Sequence, residues 1–101
     1  MHKHASKAEA RRCDELTILE RQKVIKWLKQ QPKFTIQPSF KFDGKTVREI
    51  TYIADFSYFD NETKKQVVED TKGFKTRDYL IKKKMLLFMF RTRTDFQFLE
   101  S

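Results

Sequence analysis

"VVEDTKGFKTRDYLIKKK", Val67 to Lys84, decides the fold. Two valines lead into Glu69 and Asp70, Lys72 follows, and Gly73 breaks the run before Thr76 opens a lysine-rich segment. The part before the glycine, "KQVVEDTK" (Lys65–Lys72), reads as a strand. From Thr76 to about Arg91 the pattern is helical, with Thr76 placed to cap it and Asp78 at the positive end of its dipole. A buried strand that ends in carboxylates and an ammonium raises a question of chemistry. Such groups are costly to desolvate unless something pairs with them.

Working outward, "DNET" (Asp60–Thr63) is a polar turn, and "TVREITYIADFSYF" (Thr46–Phe59) reads as one long strand rich in β-branched and aromatic residues. Asp43-Gly44 signals a hairpin. "FTIQPSFKF" (Phe34–Phe42) reads as a strand in which Pro38 marks an edge or a bulge. Ser6 to about Lys29 reads as a helix with Ser6 as N-cap and Pro32 as the stop. On it Cys13, Leu16, Val24, Trp27 and Leu28 share a face, and Glu9 projects onto that same face. Downstream, "MLLFMF" (Met85–Phe90) suits a buried helix end and "DFQFLE" (Asp95–Glu100) a short last strand. The expected order is αβββαβ, an α+β domain with a central sheet.

The 101 residues suit a single domain over 1–101, with residues 1–5 as a basic tail. Ten Phe, three Tyr and one Trp supply core material, and charges interspersed with apolar residues argue against disorder. A formal charge of +8 and a pI near 9.7 point to a polyanionic partner, nucleic acid first; the competing reading is a solvated basic surface. Cys13 is the only cysteine, which excludes an internal disulfide and a zinc–thiolate cluster. With no signal peptide and no apolar run of membrane length, an intracellular location is expected and no membrane partner. His2 and His4 make an HxH pair that reads as tail rather than metal site.

Residues two apart on a strand face the same way, so Asp70 and Lys72 share a face with Val68 while Glu69 points to the other. If the turn pairs Asp60 with Lys65, Asp55 lies opposite Asp70. Like charges directly opposite are destabilising. The arrangement then needs a cation, either Lys72 or a hard divalent metal with oxygen ligands. Asp55, Asp70 and the Thr71 carbonyl suit Mg²⁺ or Mn²⁺. A metal so held polarises a scissile phosphate and activates water, Lys72 orients that water or stabilises the extra phosphate charge, and Glu9 binds the metal or positions the water. Two plainer readings compete. Ser6-Lys7-Ala8-Glu9 fits a capping box, and Asp70 with Lys72 fits an ordinary salt bridge. Lys75, Arg77, Lys82, Lys83 and Lys84 follow the acids and are candidate phosphate contacts.

An acid on the first helix, an acid on a central strand, D-x-K on the next and then a basic helix: this order resembles the PD-(D/E)XK nuclease superfamily of restriction enzymes and Holliday-junction resolvases. "SKAEARR" (Ser6–Arg12), "QPKFTIQPSFKFDGKTVREITYIADFSY" (Gln31–Tyr58) and the opening stretch together look like a family of small phage endodeoxyribonucleases likened to phage endonuclease I. The resemblance implies a restriction-endonuclease-like core, a central mixed sheet flanked by helices. Glu9, Asp55, Asp70 and Lys72 would be catalytic, with Mg²⁺ or Mn²⁺ as cofactor. The activity implied is metal-dependent DNA endonuclease, with branched DNA as a substrate, a homodimer as the working unit and the bacterial host cytoplasm as the location. A non-catalytic nucleic-acid-binding domain and a host-interaction protein on the same fold are the alternatives.

Overall fold

The computed structural model of the chain describes residues 7–71 and 75–100. Ser6 and Lys72, together with the HxH pair at His2 and His4, lie outside the described residues. Helix α1 (Lys7–Arg21) buries Glu9, Cys13 and Leu16, spaced four and three residues apart along one stripe. It ends eight residues before the expected Lys29. The Val24 N–H donates to the Leu19 carbonyl and the Lys23 N–H to the Glu20 carbonyl, both at 3.0 Å, with Lys23 at φ 63. This is a Schellman termination in which a lysine takes the left-handed position usually held by glycine. The chain then turns into strand β1 (Ile25–Gln30), so the "WLKQ" segment is strand and not the last turn of the helix. Val24 and Trp27 consequently leave the expected apolar face and are exposed, and Leu28 packs against the core.

The expected strand over 34–42 divides at Pro38–Ser39 into β2 (Lys33–Gln37) and β3 (Phe40–Phe42). The one expected over 46–59 divides into β4 (Lys45–Val47), β5 (Ile50–Ile53) and β6 (Phe56–Asp60). Strands β3 and β4 form a hairpin through Asp43 and Gly44, both at positive φ (53 and 75), the combination a two-residue type I′ turn requires. Strand β7 (Lys65–Asp70), helix α2 (Arg77–Met89) and strand β8 (Phe96–Glu100) lie close to where the sequence places them. Thr76 caps α2 by accepting the Tyr79 N–H.

The fold is α+β. Its main sheet has the order β1-β6-β7-β8, with β1/β6 and β6/β7 antiparallel and β7/β8 parallel, and is therefore mixed. Register between β6 and β7 pairs Asp60 with Lys65 and Phe56 with Glu69. A second, two-stranded sheet joins β2 to β5. The chain passes from it to the main sheet at Ala54–Asp55, where the Ala54 N–H reaches the Pro32 carbonyl (3.1 Å) and the Gln31 N–H the Asp55 carbonyl (2.8 Å). Asp55 thus sits at the hand-over between two sheets.

Two cores flank β6 and β7. Cys13, Leu16, Ile25, Phe56, Tyr58 and Val67 fill the α1 side; Tyr52, Ala54, Val68 and Leu86 fill the other, backed by aromatic residues of β2, α2 and β8. Alternation along β7 sends Val67 to one core and Val68 to the other. Leu86 is the one buried residue of α2, while Leu87, Phe88 and Met89 are exposed. The "MLLFMF" end is therefore mostly uncovered rather than buried.

Candidate active site

Glu69 and Asp70 are neighbours that point into different layers. Glu69 faces α1. Arg12 grips it with both arms of its guanidinium, Nε to Oε1 at 2.8 Å and Nη2 to Oε2 at 2.7 Å, and the Tyr58 hydroxyl donates to Oε2 as well. Bidentate geometry of this kind is the strong form of the arginine–carboxylate pair. Burial, and then the hydrogen bond to Glu69, push the Tyr58 phenol well above its ordinary value, so it remains a donor at neutral pH.

Asp70 is 1% exposed and faces the second core. Its Oδ2 accepts from the Tyr52 hydroxyl and its Oδ1 from the Asp55 backbone N–H at 3.1 Å. In return Asp55 Oδ2 accepts the Thr71 N–H at 2.6 Å. Each aspartate thus binds main chain at or beside the other, and both are fixed at the end of β7. These donors stabilise the ionised carboxylates and offset part of the mutual repulsion that the sequence left to a cation alone. Tyr79, in the first turn of α2, packs beside Tyr52, with ring centroids 6.1 Å apart. Burial raises its phenol furthest, then a hydrogen bond to Glu100, then the charges of Asp70, Glu100 and Asp55. A groove of about 470 Å³ lined by Ala8, Arg11, Arg12, Glu69, Thr71 and Glu100, among others, opens beside these strand ends.

Glu9 is buried on the inward stripe of α1 with Cys13 and Leu16. Among the described residues no group of three or more His, Cys, Asp or Glu side chains is gathered closely enough to hold a metal. Asp55 and Asp70 form a pair, and Glu9 does not complete a triad with them. That pair still fits a hard cation in donor type. The oxygens come from two carboxylates and the adjacent Thr71 carbonyl, and Mg²⁺ is usually held by one or two carboxylates with water and substrate phosphate completing its shell. The Tyr52 hydroxyl bond to Asp70 is the kind of outer contact that orients a ligating carboxylate.

The basic residues after β7 divide. Lys75 and Lys83 are bound to Glu100, at 2.9 and 3.0 Å, and Lys82 to Asp78 at 3.3 Å. Arg77 and Lys84 are exposed. Hydrogen bonds from Tyr79, Lys75 and Lys83 pull the Glu100 carboxyl down to about 2. The sequence reading did not single out Glu100, Arg12, Tyr52 or Tyr58. A signal for Glu100 was present: it shares strand parity with Phe96 and Phe98 in "DFQFLE", and the parallel register sets it beside Asp70. Arg12 is harder to find, because only the orientation of Glu69 toward α1 calls for a cation there.

Residues 2–98 match the sequence profile of the family described as a protein of unknown function, DUF1064, and the chain belongs to that family. Neither the curated proteins nor the solved structures contain a match. No helix among the described residues is long and apolar enough to cross a membrane.

Proposed function

We propose that this chain is a Mg²⁺- or Mn²⁺-dependent DNA endonuclease built on a PD-(D/E)XK-type core, with Asp55 and Asp70 as metal ligands. The observation that carries the reading is the reciprocal clamp of these aspartates at the end of a central strand, in a chain of net charge +8. Two fixed carboxylates would repel a phosphate backbone, whereas the surrounding excess of Lys and Arg attracts one. A bound divalent cation resolves that conflict, polarising the phosphate and lowering the pKa of a bound water. Asp55 and Asp70 hold position through their main-chain bonds, and Tyr52 fixes the Asp70 plane. Lys72 belongs in this reading as the cation nearest in sequence, orienting the attacking water. Arg77 and Lys84 serve the phosphate backbone, while Lys75, Lys82 and Lys83 do so through the charge that remains after pairing with Glu100 and Asp78. Glu9 is assigned to the helix that positions water rather than to the first set of ligands.

Branched DNA is the proposed substrate, cut by a homodimer in the cytoplasm of a phage-infected bacterium. The uncovered face of α2 supports the dimer, since Ile81 and Phe88 lie seven residues apart on one side and are 53% and 63% exposed. The test is incubation of an end-labelled four-way junction and a matched linear duplex with Mg²⁺, Mn²⁺ or EDTA. Cleavage with either metal, abolished by EDTA and reduced on the order of a thousandfold by Asp70→Asn, is expected. Binding without cleavage under every metal condition would assign the chain to the non-catalytic class.

A further inference from the structure

The main sheet carries a second feature, at its β1 edge. Between Lys26 and Lys29 the register with β6 shifts: Lys26 pairs with Phe59 and Lys29 with Ser57, so Trp27 and Leu28 stand against Tyr58 alone. This is a β-bulge, a device that re-aims a side chain. Glu20, near the end of α1, holds it by accepting the Leu28 N–H at 2.9 Å. The bulge sends Leu28 to the α1 core and Trp27 outward, 65% exposed at φ 60. A left-handed conformation is strained for a bulky residue, and such strain gathers at functional positions. Leu or Lys would have satisfied the edge strand without leaving an indole in water.

The ring has company suited to one kind of ligand. Phe59 lies 5.5 Å from it, centroid to centroid, and Lys26 Nζ sits 4.1 Å from the indole centroid and 5.0 Å from that of Phe59. A groove of about 620 Å³ runs past Trp27, Lys29, Ser57, Phe59 and Gln66 to Arg93. Asp95 also lines it, but that carboxylate is taken up in a bidentate pair with Arg93 at 2.9 Å. Positive charge in the groove lining is therefore carried by Lys29, with Lys26 against the indole beside it. We infer that this groove is a stacking subsite for an unpaired nucleobase, with Trp27 as the platform and Lys26 and Lys29 on the flanking phosphates. Aromatic platforms beside lysines bind single-stranded nucleic acid because every base has a π-face.

Its position ties it to the aspartates. Ser57 and Phe59 share the side of β6 opposite Tyr58, and two residues before Ser57 comes Asp55. Four residues of chain span at most about 14 Å, so a base on Trp27, beside Phe59, and a phosphate at Asp55 fall within reach of one bound strand. The subsite would favour DNA with unpaired nucleotides beside the cut over a continuous duplex. This rests on the nucleic-acid part of the reading above and not on cleavage.

Trp27 is the only tryptophan, so its emission reports on this groove alone. The experiment titrates the intact protein in EDTA with a short oligo-dT and with a blunt duplex of equal length, following both anisotropy of labelled DNA and intrinsic emission. Saturable quenching by oligo-dT, little change with duplex, and a roughly tenfold loss of oligo-dT affinity in Trp27→Ala but not in Trp27→Tyr are expected. Duplex affinity should hold in both variants, and thermal melts show that each remains folded. Binding of oligo-dT without any change in Trp27 emission, or with equal affinity in Trp27→Ala, overturns the subsite and leaves the nuclease reading standing. Failure of oligo-dT alone to bind overturns the subsite, and failure of both DNAs to bind, in EDTA and again in Ca²⁺, overturns both readings. Emission that changes with protein concentration alone gives the groove to a second copy of the chain and equally overturns the proposal.

Discussion

The two faces of β7 give adjacent acids different partners. On the α1 face, Glu69 meets a guanidinium and a phenol. On the other, Asp70 meets a phenol, a backbone N–H and a second aspartate that is itself tied to Thr71. Local sequence makes Glu69 and Asp70 look interchangeable as a metal ligand. Strand parity separates them, and the layers behind them give each a role: one closes a structural joint, the other keeps a pair of carboxylates poised at a strand end.

The largest stability effect that can break this comparison is loss of Arg12. Removing one partner of a largely buried ion pair leaves the other desolvated and uncompensated. Arg12→Ala should therefore cost about 3 kcal/mol in urea unfolding, tempered by the partial exposure of the arginine. Adding Glu69→Gln to that variant should recover part of the loss, since no unpaired charge then remains at that joint. A cost well under 1 kcal/mol for Arg12→Ala, with no rescue, would mean that Glu69 is not locked and that the two acids are not distinct.

A smaller effect comes from Glu100, which shares the parallel register with Asp70 and holds Lys75 and Lys83. Its carboxyl is lowered from 4.5 to about 2 by Tyr79, Lys75 and Lys83, in that order. A depressed carboxylate contributes stability that is fully present above its unfolded value. That contribution fades as pH falls from about 4.5 toward about 2. Wild-type stability should decline through that window, and Glu100→Gln should start lower and decline less. Parallel pH profiles for the two proteins would remove Glu100 from the network. The same substitution frees Lys75 and Lys83 and should raise duplex affinity a few-fold at low salt, sharpening the assignment of that helix to phosphate.

How far the sequence reached can be read at particular residues. Alternation in "VVED" and the Asp60–Lys65 turn placed Asp55 beside Asp70, because one register serves every residue of a paired strand. Thr76 marked the start of α2 through ordinary capping chemistry. The end of α1 was illegible, since Lys23 takes a left-handed turn that glycine would have announced. "VIKWLKQ" then imitates helical spacing by chance, and only pairing with β6 makes it a strand. The division of the long 46–59 strand was equally hidden. Its break at Ala54–Asp55 depends on Gln31 and Pro32, more than twenty residues earlier in the chain. Arg12 and Tyr58 were missed for a related reason: each matters through a contact that tertiary packing creates.

Metal-dependent stability of three proteins tests the central claim most directly: wild type, Glu69→Gln and Asp70→Asn, each melted in EDTA and in millimolar Mn²⁺. The comparison within each protein removes the apo cost of the substitution, which for Asp70→Asn is about 1 kcal/mol because an amide cannot accept from both Tyr52 and the Asp55 N–H with its two terminal atoms. Binding to the folded state alone stabilises by mass action, about 2.7 kcal/mol at a hundredfold excess over Kd. Wild type and Glu69→Gln should both show that gain and Asp70→Asn should lose most of it. A gain that survives in Asp70→Asn, or that disappears only in Glu69→Gln, or a wild-type melting temperature indifferent to Mn²⁺, would contradict the assignment of the metal to the Asp55–Asp70 face.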